Sequence, residues 1–393
     1  MADQQGGVAK PPFWNDPTIR SVAFQIIALC VVVGIGYYLF HNTQTNLQQR
    51  GIASGFGFLQ NPAGFGIIQH LIPYNESDTY GRVFVVGLLN TLLVSVLGIL
   101  LATFLGFVIG VARLSRNWLV AKLAMVYIEI FRNIPLLLQI FFWYFAVLRN
   151  VPSPRQSLEL GDAVFLNIRG FYLPAPVFQP GFWVVPLTLL VGVIATVVVR
   201  RWAHRRQEMT GQPFHAFYAG LGLMLGLPLL AFALAGFPLA WDYPVLQGFN
   251  FQGGFVIIPE LAALLFALSI YTAAFIAEIV RSGIQAVSHG QTEAAYSLGL
   301  KPGQTLRLVI IPQAMRVIIP PLTSQYLNLA KNSSLAAAIA YPDLVSIFAG
   351  TVLNQTGQAI EVIAMTMAVY LTVSLSISLL MNWYNRRAAL MER

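Results

Sequence analysis

Eight stretches of this chain are each apolar enough to enter a bilayer, and that pattern constrains the fold more than any single motif. They lie near 21–41, 83–112, 129–148, 182–199, 214–236, 255–277, 308–330 and 359–380. A helix needs about 20 mainly apolar residues to traverse the hydrocarbon core. In lipid every backbone N–H and C=O must also be satisfied inside the spanning structure. The expectation is an all-α polytopic membrane helix bundle with about eight transmembrane helices. Hydrophobic residues make up 57% and charged residues 10% of the 393 positions, a balance far from that of a soluble domain. Glu129, Arg132 and Pro135 interrupt the third stretch. We read 118–133 as a helix that enters obliquely and breaks near Pro135, which lacks a backbone donor.

The basic residues set an orientation. With the N-terminus inside, one side collects Lys10, Arg20, Arg113, Arg116, Lys122, Arg200, Arg201, Arg205, Arg206, Arg281, Lys301, Arg307, Arg386, Arg387 and Arg393. The other side holds only Arg50, Arg82, Arg149, Arg155, Arg169 and Lys331. Such a bias marks the cytoplasmic face, so both termini are expected there. It also accounts for the formal charge of +8 without nucleic acid, and anchoring to the membrane is the expected role of the arginines at 200–206. The first stretch follows a polar, weakly basic leader without a small-x-small cleavage site, and is read as a retained span. Residues 1–20 read as a poorly ordered tail and 42–82 as an external loop with one amphipathic turn. The proline-bearing segment 149–180 and the segment 237–253 read as further external loops. Cys30 lies inside a span and reads as a small hydrophobe.

One segment on the basic side behaves like a soluble helix. Ser288 is a candidate N-cap with Gln291 as its capping-box partner, Glu293 places negative charge near the helix start, and Gly299 supplies a left-handed stop. A helix of two or three turns is not stable alone in water and needs a partner surface. Ala294 and Ala295 leave room for another protein to approach closely.

The pattern Glu293-Ala294-Ala295, then Gly299, then Ile311-Pro312 resembles the cytoplasmic coupling loop of ATP-binding-cassette (ABC) importer membrane subunits. Gly87-Leu88-Leu89-Asn90-Thr91-Leu92, Gly106 with Gly110, and the run from Tyr127 to Gln139 resemble the polar-amino-acid branch of these permeases, as do Ala273–Ile284, Arg316–Pro321 and Tyr326–Leu335. The chain is most similar to the longer permeases of general L-amino-acid systems within the histidine/glutamine/arginine family. The resemblance implies a MetI-like five-helix core at 83–148 and 255–386. On that reading 1–82 and 149–254 are additions and 387–393 is a cytoplasmic tail. It further implies a bacterial inner membrane location, cytoplasmic ATP-binding subunits that carry ATP and Mg, a second homologous permease subunit in a heterodimer, and a periplasmic amino-acid-binding protein. Gln291, Glu293, Ala294, Ala295, Ser297, Leu298 and Gly299 would form the ATPase-coupling surface.

Other residues carry expectations of their own. Glu129 with Arg132 and Glu278 with Arg281 stand three apart and are expected to pair. Pro320-Pro321 is expected to break or bend its helix and free carbonyls toward a cavity, with a passive kink as the alternative. Gln139, Gln325, Asn332, Ser333 and Ser334 are candidates for the substrate path, with Lys331 beside them. Gln325 and Asn332 share a helical face, and neutral amides suit a zwitterion; the rival reading is that they bond neighbouring helices. His41, His70, His204, His215 and His289 are dispersed, and no phosphate-binding loop or metal-ligand spacing occurs, so no catalytic residue, cofactor or metal ligand is assigned to this chain. A secondary transporter or channel is the alternative. It would need inverted halves or buried acids along an ion path.

Overall fold

The computed structural model describes residues 17–49 and 54–388. Lys10, Arg50 and Arg393, and the tail segments 1–16 and 389–393, lie outside the described residues. The long helices are α1 Pro17–Gln49, α2 Tyr80–Arg113, α3 Trp118–Asn133 and, after a short break, α4 Leu136–Phe141. Four short strands follow: β1 Leu158–Leu160, β2 Val164–Asn167, β3 Gly170–Leu173 and β4 Ala175–Phe178. Helices α5 Val184–Thr210 and α6 Ala216–Leu234 lead to β5 Leu239–Asp242, β6 Val245–Gln247, β7 Asn250–Gln252 and β8 Phe255–Ile257. The chain continues through α7 Pro259–Gln285, α8 His289–Ser297, α9 Pro302–Thr305, α10 Ile311–Asn332, α11 Leu353–Thr356 and α12 Ala359–Ala388. Among the described residues seven helical segments are long and apolar enough to cross a membrane, and α3 with the bent segment Leu136–Asn150 makes an eighth if the pair is one span.

That pair bends by 105° next to Pro135, as its sequence requires. Helix α1 begins at Pro17 and runs to Gln49, so it takes in the end of the segment expected to be a disordered tail and the start of the expected loop. The proline pair does not break its helix. Helix α10 continues through Pro320 and Pro321 instead of breaking there. Irregular π-type turns occur at Phe142–Val147, Leu306–Ile310 and Leu344–Val352.

Two compact units are present. One contains the described residues up to Thr91 together with Pro342–Leu375. Its core joins Phe58, Ala63, Ile67, Tyr80, Val83 and Val86 to Leu344, Ile347, Phe348, Val352 and Val362. The segment ahead of α2 is folded onto this core. A turn at Phe56–Gln60 buries Phe58, Ala63 N–H donates to the Asp78 carbonyl, and Tyr74 Oη donates to the Phe65 carbonyl at 2.6 Å. Gly87 allows the close approach of Leu344, since an added Cβ would lie 3.0 Å from its Cα. Thr91 Oγ1 accepts from Leu344 N–H at 3.0 Å, and Asn90 Nδ2 donates to the carbonyls of Gln69 and Pro342.

Asp343 heads this arrangement as the N-cap of the turn that follows. Its Oδ1 accepts from Ser346 N–H at 2.8 Å and its Oδ2 from Tyr370 Oη at 3.3 Å. These bonds favour the carboxylate, yet burial outweighs them and pushes the carboxyl from 3.8 up to about 7.

The other unit contains Leu92–Tyr341 and the residues from Ser376 onward. Helix α7 is its centre: Ala263, Leu264, Ala267, Leu268, Ala273, Ala274, Ile276 and Ala277 are fully buried. Lipid tails supply no hydrophobic drive between helices, so association depends on close packing. The expected small-residue face of α2 provides it. A Cβ on Gly106 would sit 2.6 Å from Ile276 Cβ, and one on Gly110 2.7 Å from the Ala277 carbonyl oxygen. Gly283 receives Ile318 of α10 in the same way, at 2.3 Å.

The ion pairs divide. Arg281 Nε donates to Glu278 Oε2 at 2.9 Å, with a second contact from Nη2 to Oε1, so that pair forms. Glu129 and Arg132 do not pair. The Arg132 guanidinium lies over the Phe275 ring at 5.3 Å, while the Glu129 carbonyl accepts from Asn133 Nδ2. Stacking on an aromatic face suits the planar guanidinium and needs no partner acid.

The eight strands add to the all-α bundle. They form an antiparallel sheet in the order β1-β2-β3-β8 and two ribbons, β4-β5 and β6-β7. The two segments read as separate external loops are therefore one folded region, since β3 pairs with β8 and β4 with β5. Between them α5 and α6 form a hairpin. Gly192 and Gly220 admit it, and Thr196 Oγ1 lies within hydrogen-bond reach of the carbonyls of Gly192 and Gly220.

Two outcomes follow. Gly106→Ala and Gly110→Ala should each lower stability by about 1–3 kcal/mol through overpacking, whereas Gly226→Ala, with nothing within 4 Å, should be near neutral. Thermal unfolding of the purified chain in detergent checks this, and equal midpoints for all three variants would refute it. For Asp343 the native carboxyl keeps its proton where the unfolded one has lost it. Stability is then highest below 3.8, declines as pH rises toward about 7, and stays reduced above that. The unfolding midpoint should rise as pH is lowered from 8 to 5, and Asp343→Asn should flatten that slope.

Candidate functional site

Helix α8 is nine residues long, and Ser288 occupies its N-cap position as expected. The capping box does not form. Ser288 makes no side-chain cap bond, and the Gln291 side chain instead accepts from Gln313 Nε2 of the α10 helix at 3.2 Å. The exchange is physically reasonable, because an amide that ties two helices together gives up only a solvent-exposed bond. At the other end Gly299 has φ +77°, the Gly299 N–H donates to the Tyr296 carbonyl, and the Leu300 N–H donates to the Ala295 carbonyl at 3.1 Å. This is a Schellman stop, built on the one residue that enters the left-handed region without strain. A second cap follows at once, where Gln304 Oε1 accepts from Lys301 N–H at the start of α9.

These caps fix which side of α8 faces outward. Gln291, Glu293, Ala294, Tyr296, Ser297 and Leu298 are exposed, with Leu298 at 82%. Ala295 is buried at 3%, so it packs on its own chain, and only Ala294 of the alanine pair offers close approach to another molecule. Glu293 Oε1 lies 3.1 Å from His289 Nδ1, and the Glu293 carbonyl accepts from Ser297 Oγ. The surface thus combines the Glu293 carboxylate, the small Ala294 side chain and two large side chains, Tyr296 and Leu298.

The candidates for a substrate path separate into two groups. Gln325 and Asn332 lie on one continuous helix, seven residues and about 10 Å apart along its axis. Both are half-buried, and among the described residues neither side-chain amide has a hydrogen-bond partner. Within this chain they do not act as polar links between helices. Ser333 and Ser334 differ: their hydroxyls donate to the carbonyls of Ala330 and Lys331, which closes the end of α10 and leaves no free donor. Gln139 is buried at the α3–α4 bend. Its Nε2 donates to the carbonyls of Phe131 and Ile134, groups that the bend would otherwise leave unpaired. Its Oε1 has no partner and lines a cavity of about 280 Å³ with Phe131, Ile134, Leu138, Phe142 and Trp143. No hydrogen bond joins Gln139 to the α10 candidates.

Arg316 is a residue that sequence reasoning passed over. Its Nε and Nη2 atoms are buried and lack any acceptor among the described residues. An arginine set between apolar residues and a proline pair was the available signal.

Comparison with known proteins identifies the family. The family model described as binding-protein-dependent transport system inner membrane component matches residues 215–390. The chain is 64% identical over 393 residues to the putative amino-acid ABC transporter permease protein YhdX of Escherichia coli (strain K12), covering 100% of both chains. It is 54% identical over 378 residues to the general L-amino acid transport system permease protein AapQ of Rhizobium johnstonii, covering 96% of this chain and 94% of that one. Identity is 46% over 409 residues to the glutamate/glutamine/aspartate/asparagine transport system permease protein BztB of Rhodobacter capsulatus, with 96% of each covered. With a full-length relative at this identity and a bundle of membrane-spanning helices, the chain belongs to the binding-protein-dependent transport system inner membrane components, among the amino-acid ABC transporter permeases.

Proposed function

We propose that this permease subunit carries L-amino acids along a path bordered by α10 and receives its driving motion through α8. The exposed face of α8, with Glu293, Ala294, Ser297 and Leu298, is the docking surface for a separate ATP-binding subunit that holds ATP and Mg. The observation that carries this reading is the pairing of that exposed face with an attachment to α10: Ala295 is buried beneath it and Gln291 is bonded to Gln313 of α10. A displacement of α8 then moves α10, and with it Gln325 and Asn332. The orientation that follows has α8, the 200–206 arginines and both termini on the cytoplasmic side of the bacterial inner membrane. A periplasmic amino-acid-binding protein delivers substrate to the opposite side. On this reading 83–148 and 255–386 form the core, and 1–82 and 149–254 are additions to it.

A second, related permease completes the path. Support comes from Arg316, whose Nε and Nη2 are buried without an acceptor among the described residues and which an acceptor from outside the chain would satisfy. The amides of Gln325 and Asn332, with open donors and acceptors, suit a zwitterion. The alternative of an ion-coupled carrier has less behind it: Glu278 is neutralised by Arg281, and Asp343 caps a turn between spans.

Magnitudes rank the docking residues. Burying Leu298 fully is worth about 1.5–3 kcal/mol, whereas an exposed ion pair at Glu293 is worth about 0–1 kcal/mol. Leu298→Ser should therefore reduce co-purification of the ATP-binding subunits about tenfold or more, and Glu293→Ala only a few-fold. Gly299→Leu, strained at φ +77°, should uncouple ATP hydrolysis from uptake while membrane insertion stays normal. Normal uptake and full co-purification in all three variants would refute the assignment.

Selectivity tests the path. Gln325→Glu combined with Asn332→Asp should shift the arginine-to-glutamate uptake ratio upward about tenfold or more, since a like charge in a poorly solvated path costs several kcal/mol. Reconstituted vesicles with saturating binding protein provide the measurement. An unchanged ratio would place the substrate contacts elsewhere.

A further inference from the structure

The helical hairpin α5–α6 ends in a charged surface that the transport reading leaves unused. Val184 to Val199 covers about 24 Å of helix, most of the roughly 30 Å hydrocarbon core, and the long arginine side chains that follow extend the reach to headgroup depth. Along that length α5 exposes Leu187, Leu190, Ile194 and Val198, as a lipid-facing helix does. That stripe runs on into Arg201 and Arg205, while Arg200 follows Val193 and Val197 on the adjoining exposed flank. Arg200, Arg201 and Arg205 are all exposed, and among the described residues none of their guanidinium groups has a partner.

The neighbouring charges do not neutralise them. Glu208 faces His204 at 3.7 Å, and Arg206 donates to Gln212 while lying over the Trp202 ring at 5.3 Å. An aromatic collar sits at the same level. Trp202 meets Phe214 edge-on at 5.3 Å, and Phe217 and Tyr218 at the start of α6 are 63% and 69% exposed. Amphipathic rings at this depth mark the boundary between acyl chains and headgroups. The opposite side of the hairpin is closed, since Ala203 is buried at 6% and Gly192 and Gly220 draw the two helices together.

From this arrangement we infer that the Arg200–Arg201–Arg205 fan binds the phosphodiester headgroup of an anionic phospholipid, whose acyl chains lie along the exposed apolar face of α5. Charge complementarity identifies the occupant: three exposed guanidinium groups without a protein partner among the described residues favour an anionic one, and the apolar surface beside them favours hydrocarbon. Arginine suits phosphate because its planar fork donates two hydrogen bonds in parallel. A cluster of basic residues directly after a span draws acidic lipid in this way. The inference rests on the membrane placement of α5 and α6 and is independent of the docking role of α8. In the proposed orientation the lipid belongs to the inner leaflet.

Native mass spectrometry of the purified full-length chain in detergent tests this, by titration with phosphatidylglycerol and with phosphatidylethanolamine of the same acyl composition. The wild type should bind phosphatidylglycerol about tenfold more tightly. The triple variant R200Q/R201Q/R205Q should lose that preference, while R386Q/R387Q, at the basic end of α12, should keep it. Size-exclusion elution reports whether the triple variant stays folded. If it does not, R201Q and R205Q alone should each lower the preference about threefold. Three results would overturn the proposal: no preference in the wild type, an equal loss in R386Q/R387Q, or full displacement of the lipid by inorganic phosphate at the same concentration.

Discussion

Within the larger compact unit everything depends on how closely helices approach α7. In lipid the reward for helix contact comes from van der Waals packing, and a side chain at the seam would hold two backbones apart. Gly106 and Gly110 on α2 and Gly283 on α7 remove that obstacle where the facing atoms are Ile276, Val280, the Ala277 carbonyl and Ile318. Once α10 is seated on α7 through Gly283, its amides at Gln325 and Asn332 are fixed in depth and direction. Helix α8 is then fixed as well, because Gln291 reaches Gln313 on that same helix.

How much of this was legible follows from the range of each interaction. Local signals could be read: the Ser288 position, the Gly299 stop and the break near Pro135 each depend on a few neighbouring residues. The Glu278–Arg281 pair is equally local. Its look-alike at Glu129 and Arg132 fails because a residue far along the chain, Phe275, offers the guanidinium a ring. Ala295 shows the same limit. Nothing in the pattern of α8 tells which of two adjacent alanines turns inward, since that depends on the packing of the segments that follow.

The strands were hidden for a different reason. Each is three or four residues long, too short for alternation to register, and pairing such as Phe171 with Ile257 joins positions separated by a two-helix hairpin. A proline-rich segment then looks like a loop until its distant partner is known. Asp343 was passed over on similar grounds, because a single acid after a proline resembles an ordinary turn. Its importance comes from burial and from Tyr370, neither of which is local.

The proline pair and the π-type turns bear on how such a bundle moves. Pro320 and Pro321 remove two backbone donors from α10, which leaves the carbonyls of Arg316 and Val317 without their usual partners. The helix nevertheless continues, held by Ile318, Ile319 and Leu322 in the core on one side. The irregular turn lies lower, at Leu306–Ile310, between α9 and α10. A π-type turn contains an extra residue whose hydrogen bonds can be rearranged at small cost, and such turns recur at functional positions. On the proposed reading, its place between α9 and α10 separates two tasks. The segment that receives a push has a compliant joint beside it, while the segment that bears Gln325 and Asn332 stays rigid. A displacement at α8 would then pass into α10 as a tilt of a whole helix about that joint, with the amides moving as a fixed pair.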